Sequence, residues 1–149
     1  VETFEAEDVD AVVHCGDVVA PFTAAIFDAD FEFHAVRGNN DGECALAETI
    51  DEFGTHHGES AHLTFEGSDG DVDVAVYHGT SERLVDALVD CGAYDYVVRG
   101  HTHQRTCEER DGTVHVNPGG LPFPGADEAY HVAILDTDAG DVTFFGLTA

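Results

Sequence analysis

The sequence predicts one mixed α/β domain over residues 1–149, and three features predict it. Short apolar runs bounded by turn residues recur along the chain, each the length of a buried strand. Helix-like segments separate the first of these runs, as in a sheet built by crossovers. Later in the chain, period-2 segments flank tight turns, as in hairpins. Hydrophobic residues make up 43 % of the chain, enough for one sizeable core.

The elements follow in order. Residues up to about Asp8 read as the end of a helix, and Ala11 to Cys15 as a short buried strand closed by Gly16-Asp17. "PFTAAIFDAD" reads as a helix with Pro21 in its first turn. Phe31 to Val36 is a second strand running into "RGNNDG", and "ECALAETI" is helical. "AHLTFEGSDGDVDVAVYHG" reads as a hairpin around a Gly/Asp-rich turn. "SERLVDALVDCG" is a helix with Ser81 as N-cap and Gly92 as its stop. "AYDYVVRG" is a buried strand that delivers "HTH". "QRTCEERDGTVHVNPGG" is a hairpin around Asp111-Gly112, and "AYHVAILDTDAGDVTFFGLT" holds two strands around a turn.

Charge restricts the partners. Asp and Glu total 31 against five cations, all of them arginine (Arg37, Arg83, Arg99, Arg105, Arg110), and the net charge is -26. Disorder is excluded by the ordered apolar runs. A halophile fits better: in molar salt the Debye length is about 3 Å, so an acidic coat scarcely repels itself. Strong nucleic-acid binding is not expected, because no cluster of cations can displace counterions from phosphates. No apolar run reaches the roughly 18 residues of a membrane span. The first residues, "VETFEAEDVD", lack the basic and apolar pattern of a secretory signal, so the expected compartment is the cytoplasm. Cys15, Cys44, Cys91 and Cys107 are widely spaced and read as packing thiols.

The chemistry sits at strand ends. In order these are Gly16-Asp17, Gly38-Asn39-Asn40-Asp41, His78-Gly79, Gly100-His101-Thr102-His103 and Asn117-Pro118-Gly119-Gly120. Each alone is ordinary turn chemistry. Together they bring oxygen and imidazole donors to the sheet edge where α/β proteins build their sites. His56 and His57 read as a solvated pair, and His14, His34, His62, His115 and His131 as packing residues within strands. Arg37 and Arg99 precede motif glycines and could pair with carboxylates or approach a phosphate.

In this order the motifs resemble those of the calcineurin-like metallophosphoesterases, and within them the small prokaryotic phosphodiesterases similar to the retromer scaffold subunit. The resemblance spans nearly the whole chain. It implies a four-layer αββα sandwich and two divalent metals. Asp17 would bridge them, Asn39, His78 and His101 would complete the second site, and His103 would bind the first. Asp41 would sit behind a ligand and Asn40 beside the substrate, with Asp17, Asn39, Asp41 and His78 forming the catalytic set. A hydroxide shared by the metals would attack phosphorus in a small phosphodiester substrate. Nitrogen and oxygen donors suit Mn²⁺ first, with Ni²⁺, Co²⁺, Fe²⁺ or Zn²⁺ as alternatives.

Two departures refine this. The family's opening Asp-x-His motif is missing, and it is expected on a strand upstream of Val1. Asn40 stands where many relatives carry a histidine thought to protonate the leaving group, and an amide cannot serve as that acid. Good leaving groups, aryl or nucleotide, are therefore expected. The alternative function is a non-catalytic interaction scaffold of the same fold with a degraded metal site; it goes with lost ligands, and here the later ones are all present. The resemblance leaves the natural substrate and the oligomeric state open.

Overall fold

A computed structural model of the chain describes residues 1–120 and 130–147; the single domain expected over residues 1–149 includes stretches outside these. The first half alternates as its apolar periodicity dictates: α1 (Glu2–Ala6), β1 (Ala11–His14), α2 (Pro21–Ala24), β2 (Glu32–Ala35), α3 (Cys44–Asp51) and β3 (Thr55–His56). The second half begins with the hairpin of β4 (Ser60–Phe65) and β5 (Val72–Tyr77), followed by α4 (Glu82–Asp90) and β6 (Tyr96–Val98). Two more hairpins follow, β7 (Thr106–Arg110) with β8 (Thr113–Asn117) and β9 (Tyr130–Asp136) with β10 (Asp141–Leu147).

The strands form a parallel sheet ordered β1-β2-β3, a five-stranded mixed sheet ordered β4-β5-β6-β8-β7, and the β9-β10 pair. Three apolar clusters stack these into layers. Val12, Phe33 and Ala35 on one face of the parallel sheet pack with Leu46 and Ile50, one turn apart on α3, and with Phe4 of α1. Val13 and Val36 from the opposite face meet Leu63, Val74, Val76 and Val116 of the five-stranded sheet, together with Leu135 and Phe144 of the last hairpin. Val85 and Val89, one turn apart on α4, cover Ala75 and Val97 on the outer face of that sheet. The order helix, sheet, sheet, helix is the αββα sandwich that the family resemblance implies. Burying a side chain such as Ile50, which is fully inaccessible, contributes about 1.5–3 kcal/mol.

Three local readings change. The helix begun at Pro21 keeps α geometry only to Ala24 and tightens into a 3-10 turn over Ala25–Phe27. The segment around His56 and His57, read only as a solvated pair, supplies β3, whose two residues pair with His34 and Ala35. Ser81 precedes α4, but its side chain makes no capping bond; its N–H instead donates to Tyr77 Oη. All four cysteines are free. Cys15 packs into the core between the sheets, and burial pushes its thiol up to about 12. Among the described residues no helix is long and apolar enough to cross a membrane.

Candidate metal centre

Four loops leave the C-terminal ends of β1, β2, β5 and β6, and backbone geometry forces them together. Gly16 adopts φ +96, and a Cβ there would lie 2.7 Å from Gly38 N and 2.8 Å from His78 Nδ1. Only glycine lets the three strand ends approach this closely. Asp17, Val19, His101 and His103 all hold positive φ (61, 75, 65 and 57). Non-glycine residues hold such backbone only where their surroundings over-determine it, and for the β-branched Val19 it is a true outlier.

Asp41 is the anchor on one side. Its side chain is buried, and its carboxylate accepts three backbone N–H groups: Gly38 at 2.7 Å, Asp17 at 2.9 Å and Val19 at 2.7 Å. These bonds fold the Asp17 loop onto the Gly38 turn. Asn40 then closes on Asp17, donating its backbone N–H to Oδ1 at 2.8 Å and its side-chain amide to Oδ2 at 2.9 Å. Asn40 thus faces the Asp17 carboxylate, and each carboxylate oxygen keeps a further lone pair.

The donor atoms converge beside that carboxylate. The buried His78 donates Nδ1–H to the Cys15 carbonyl at 2.7 Å, which leaves the lone pair of its neutral ring on Nε2. That Nε2 lies 2.9 Å from Asn39 Oδ1, 3.4 Å from Asp17 Oδ2 and 3.3 Å from His101 Nδ1. His101 Nδ1 lies 3.0 Å from the same Asn39 oxygen. Burial first, then its neighbours His78 and Arg99, hold the His101 ring below its ordinary pKa. When both rings are neutral, at most one of these four atoms carries a proton, so lone pairs outnumber donors.

A cation at the centre resolves that conflict, and the spacing suits one. Bonds of about 2.1 Å place neighbouring ligands about 3.0 Å apart in an octahedron and about 3.4 Å apart in a tetrahedron. The observed separations of 2.9 to 3.4 Å bracket both figures. Among the described residues no group of three or more His, Cys, Asp or Glu side chains could hold a metal ion, and the cluster here includes an amide oxygen, Asn39 Oδ1. His103 continues the same loop two residues beyond His101.

Sequence reasoning left other residues unassigned. Arg99 is buried and pairs with Glu82 of α4, whereas Arg37 is exposed and lies 3.8 Å from Glu59. His57 Nε2 meets His34 Nδ1 at 3.0 Å, tying the end of β3 to β2. His14 lies edge-on to Phe27 and Phe33, and its buried Nδ1 has no hydrogen-bond partner. The signal for Arg99 was its position, a lone cation ending the apolar run "YVV" in a chain with five. Two surface hollows, one beside Phe4, Val9 and Phe31 and one beside Glu32, His34 and Thr55, lie toward the N-terminal ends of β1, β2 and β3, away from the converging donors.

The chain resembles known proteins in sequence and in fold. Phosphodiesterase MJ0936 of Methanocaldococcus jannaschii is 34 % identical over 147 residues, covering 93 % of this chain and 82 % of the relative. A solved structure described as a novel archaeal phosphodiesterase superposes with a TM-score of 0.83 at 32 % identity, covering 99 % of this chain and 88 % of that one. Vacuolar protein sorting 29 from Cryptosporidium parvum shares the fold, with a TM-score of 0.66 at 15 % identity over 100 % of this chain and 89 % of that one. The profile of the calcineurin-like phosphoesterase superfamily domain matches residues 1–140, and the chain belongs to that superfamily.

Proposed function

We propose that this protein is a metal-dependent phosphodiesterase that hydrolyses a P–O bond of a small phosphodiester. The observation that carries the reading is the placement of Asn39 Oδ1, His101 Nδ1 and Asp17 Oδ2 at 2.9, 3.3 and 3.4 Å from His78 Nε2, with His101 Nδ1 3.0 Å from Asn39 Oδ1. Divalent cations bound there supply Lewis acidity and an activated water to phosphoryl chemistry. Asp17 would serve both ions, with Asn39, His78 and His101 holding the second and His103 the first. Mn²⁺ is the first candidate for these nitrogen and oxygen donors.

The residues of the chain divide the remaining work. Asp41 fixes the Asp17 loop through three amides, and Asn40 orients the Asp17 carboxylate while facing solvent, where a phosphodiester enters. Asn40 has no proton to give at neutral pH, so substrates with aryl or nucleotide leaving groups are favoured. The charge of -26 selects against polyanionic nucleic acid, and the bound cations provide the local positive charge that draws in one phosphate. The same charge, with no lysine, supports a salt-rich cytoplasm as the setting.

The test is Mn²⁺-dependent hydrolysis of bis(p-nitrophenyl) phosphate in molar KCl. Activity that requires Mn²⁺ and disappears in Asp17→Ala and His101→Ala supports the reading. No hydrolysis by metal-loaded full-length protein would replace it with the scaffold role. Equal turnover of alkyl and aryl diesters would overturn the leaving-group assignment.

A further inference from the structure

Of the five cations in the chain, Arg99 is the one enclosed between the two histidine loops. Its side chain is 3 % exposed and makes four hydrogen bonds. Nη1 and Nη2 grip the two Glu82 oxygens at 2.9 and 2.7 Å, a bidentate fork. Nη2 also donates to the Gly79 carbonyl at 2.7 Å, and Nε donates to the Gly100 carbonyl at 3.2 Å. The guanidinium therefore binds the residue after His78 and the residue before His101. Gly100 N–H donates back to the His78 carbonyl at 3.0 Å, closing the seam. Gly79 is shaped to this partner: its φ is +98, and a Cβ there would lie 2.5 Å from Arg99 Nε.

A second buried side chain works on the same carbonyl. Asn117 donates Nδ2–H to Gly100 O at 3.1 Å and to Thr102 Oγ1 at 2.9 Å, while its Oδ1 accepts from Gly119 N–H. His101 and His103 flank Thr102, and both hold left-handed backbone. Such backbone persists only where neighbours over-determine it, and Arg99 and Asn117 are the neighbours that do so.

We infer that Arg99 is a positioning residue: held by Glu82, it fixes the Gly79 and Gly100 carbonyls so that His78 and His101 present their nitrogens to one ion. The inference rests on the metal reading above. Arg99 itself does not approach a phosphate, because its fork is spent on Glu82 and the two loops. Lysine cannot replace it, since an ammonium lacks the planar fork that spans one carboxylate and two carbonyls. Its removal deprives the Gly79 carbonyl of its donor, so some stability is lost with it. Glu82 is already 64 % exposed and stays hydrated, and Gly100 O keeps Asn117.

The experiment is Mn²⁺ titration of the full-length protein by calorimetry in molar KCl, alongside thermal melts of the metal-free protein. The proteins are wild type, Arg99→Met, Arg99→Lys, Glu82→Gln and His101→Ala. Met keeps the apolar stem and removes the fork. Removing a partner behind a metal ligand typically weakens binding about 10–100-fold. Arg99→Met is expected to lose affinity in that range, beyond what its lowered midpoint accounts for, Arg99→Lys to recover part of it, and Glu82→Gln to lose less. Saturating Mn²⁺ restores kcat to Arg99→Met, as positioning requires. Wild-type affinity in Arg99→Met, or a loss that only tracks its unfolded fraction, overturns this inference while leaving the metal reading in place if His101→Ala is impaired. A wild type that binds no Mn²⁺ overturns both.

Discussion

The two sheets that meet at the site hold their donors by opposite means. On the parallel sheet a buried anion gathers N–H groups: Asp41 accepts from Gly38, Asp17 and Val19. On the five-stranded sheet buried donors gather carbonyls: Arg99 and Asn117 bind Gly79 O and Gly100 O. Each device matches what its loop leaves unpaired, amides in one and carbonyls in the other. The difference teaches that the donor cluster is two half-sites, each rigid by itself and joined where His78 Nδ1 donates to the Cys15 carbonyl.

The largest effect comes from removing a donor from either half. Asp17→Ala takes one from the parallel sheet and His101→Ala one from the five-stranded sheet. Both are expected to lower kcat/KM for an aryl phosphodiester by more than the ~100-fold typical of outer-shell partners. Steady-state kinetics at fixed Mn²⁺ measures this, and near-normal activity in one variant breaks the picture of two equal halves.

Next comes the anchor. Asp41→Ala strands three amides, one buried and two part-buried, and losing hydrogen bonds to a charged group costs about 1.5–3 kcal/mol each before relaxation. Water will enter the loop, so we expect a net loss of about 3 kcal/mol, read from the urea midpoint of the metal-free protein. Asp41→Asn keeps one acceptor oxygen and is expected to lose about half as much. A loss confined to metal affinity, with stability untouched, would make Asp41 an anchor of ligands rather than of the fold.

The sequence displays the half-sites unequally. Asp17, Asn39, His78, His101 and His103 were legible because strand ends, glycines and donor types fall in a recognisable order. The helices at Leu46–Ile50 and Val85–Val89 were legible from apolar residues one turn apart. How the donors are held was less so. Asp41 was expected behind a ligand from the family resemblance, but its three amides were not legible, because they come from loops 24 and 22 residues apart in sequence as well as its own turn. Arg99 left two roles open, because its partner Glu82 is one of many carboxylates and only tertiary contact selects it. Strand β3 escaped for the same reason: two residues carry no period, and pairing with β2 alone defines them.

Acid probes both halves together, with a smaller effect. His14 lies on β1 and His115 on β8, and burial is the main cause that lowers each ring from 6.5. Because the folded pKa values lie below the unfolded ones, the unfolded chain binds these protons first. Above pH 6.5 neither state is protonated at these rings and they add no slope; as pH falls through 6.5 the unfolded state gains protons that the native rings refuse, and stability drops. Urea midpoints in EDTA between pH 7.5 and 5.5 should show this decline. His14→Phe, which Phe27 and Phe33 can accept as a neighbour, should flatten it. An unchanged slope would place the titrating groups elsewhere.

The smallest effect sharpens the comparison by repeating Arg99's chemistry in water. Arg110 donates to Asp86 at 3.1 Å and to Asp90 at 2.9 Å, so it too joins α4 to the five-stranded sheet through carboxylates. Yet its side chain is 46 % exposed against 3 % for Arg99. Exposed pairs gain little and are screened when the Debye length shrinks to about 3 Å in molar salt. Arg110→Gln is therefore expected to leave both the thermal midpoint in molar KCl and the Mn²⁺ affinity unchanged, with a small loss of midpoint emerging as KCl is lowered. Arg99→Met should lose Mn²⁺ affinity at every salt concentration, because its fork binds loop carbonyls that ions in solution do not reach. If both variants respond to salt alike, the enclosure of Arg99 is not what sets it apart, and the stiffness of the histidine half must come from Asn117 alone.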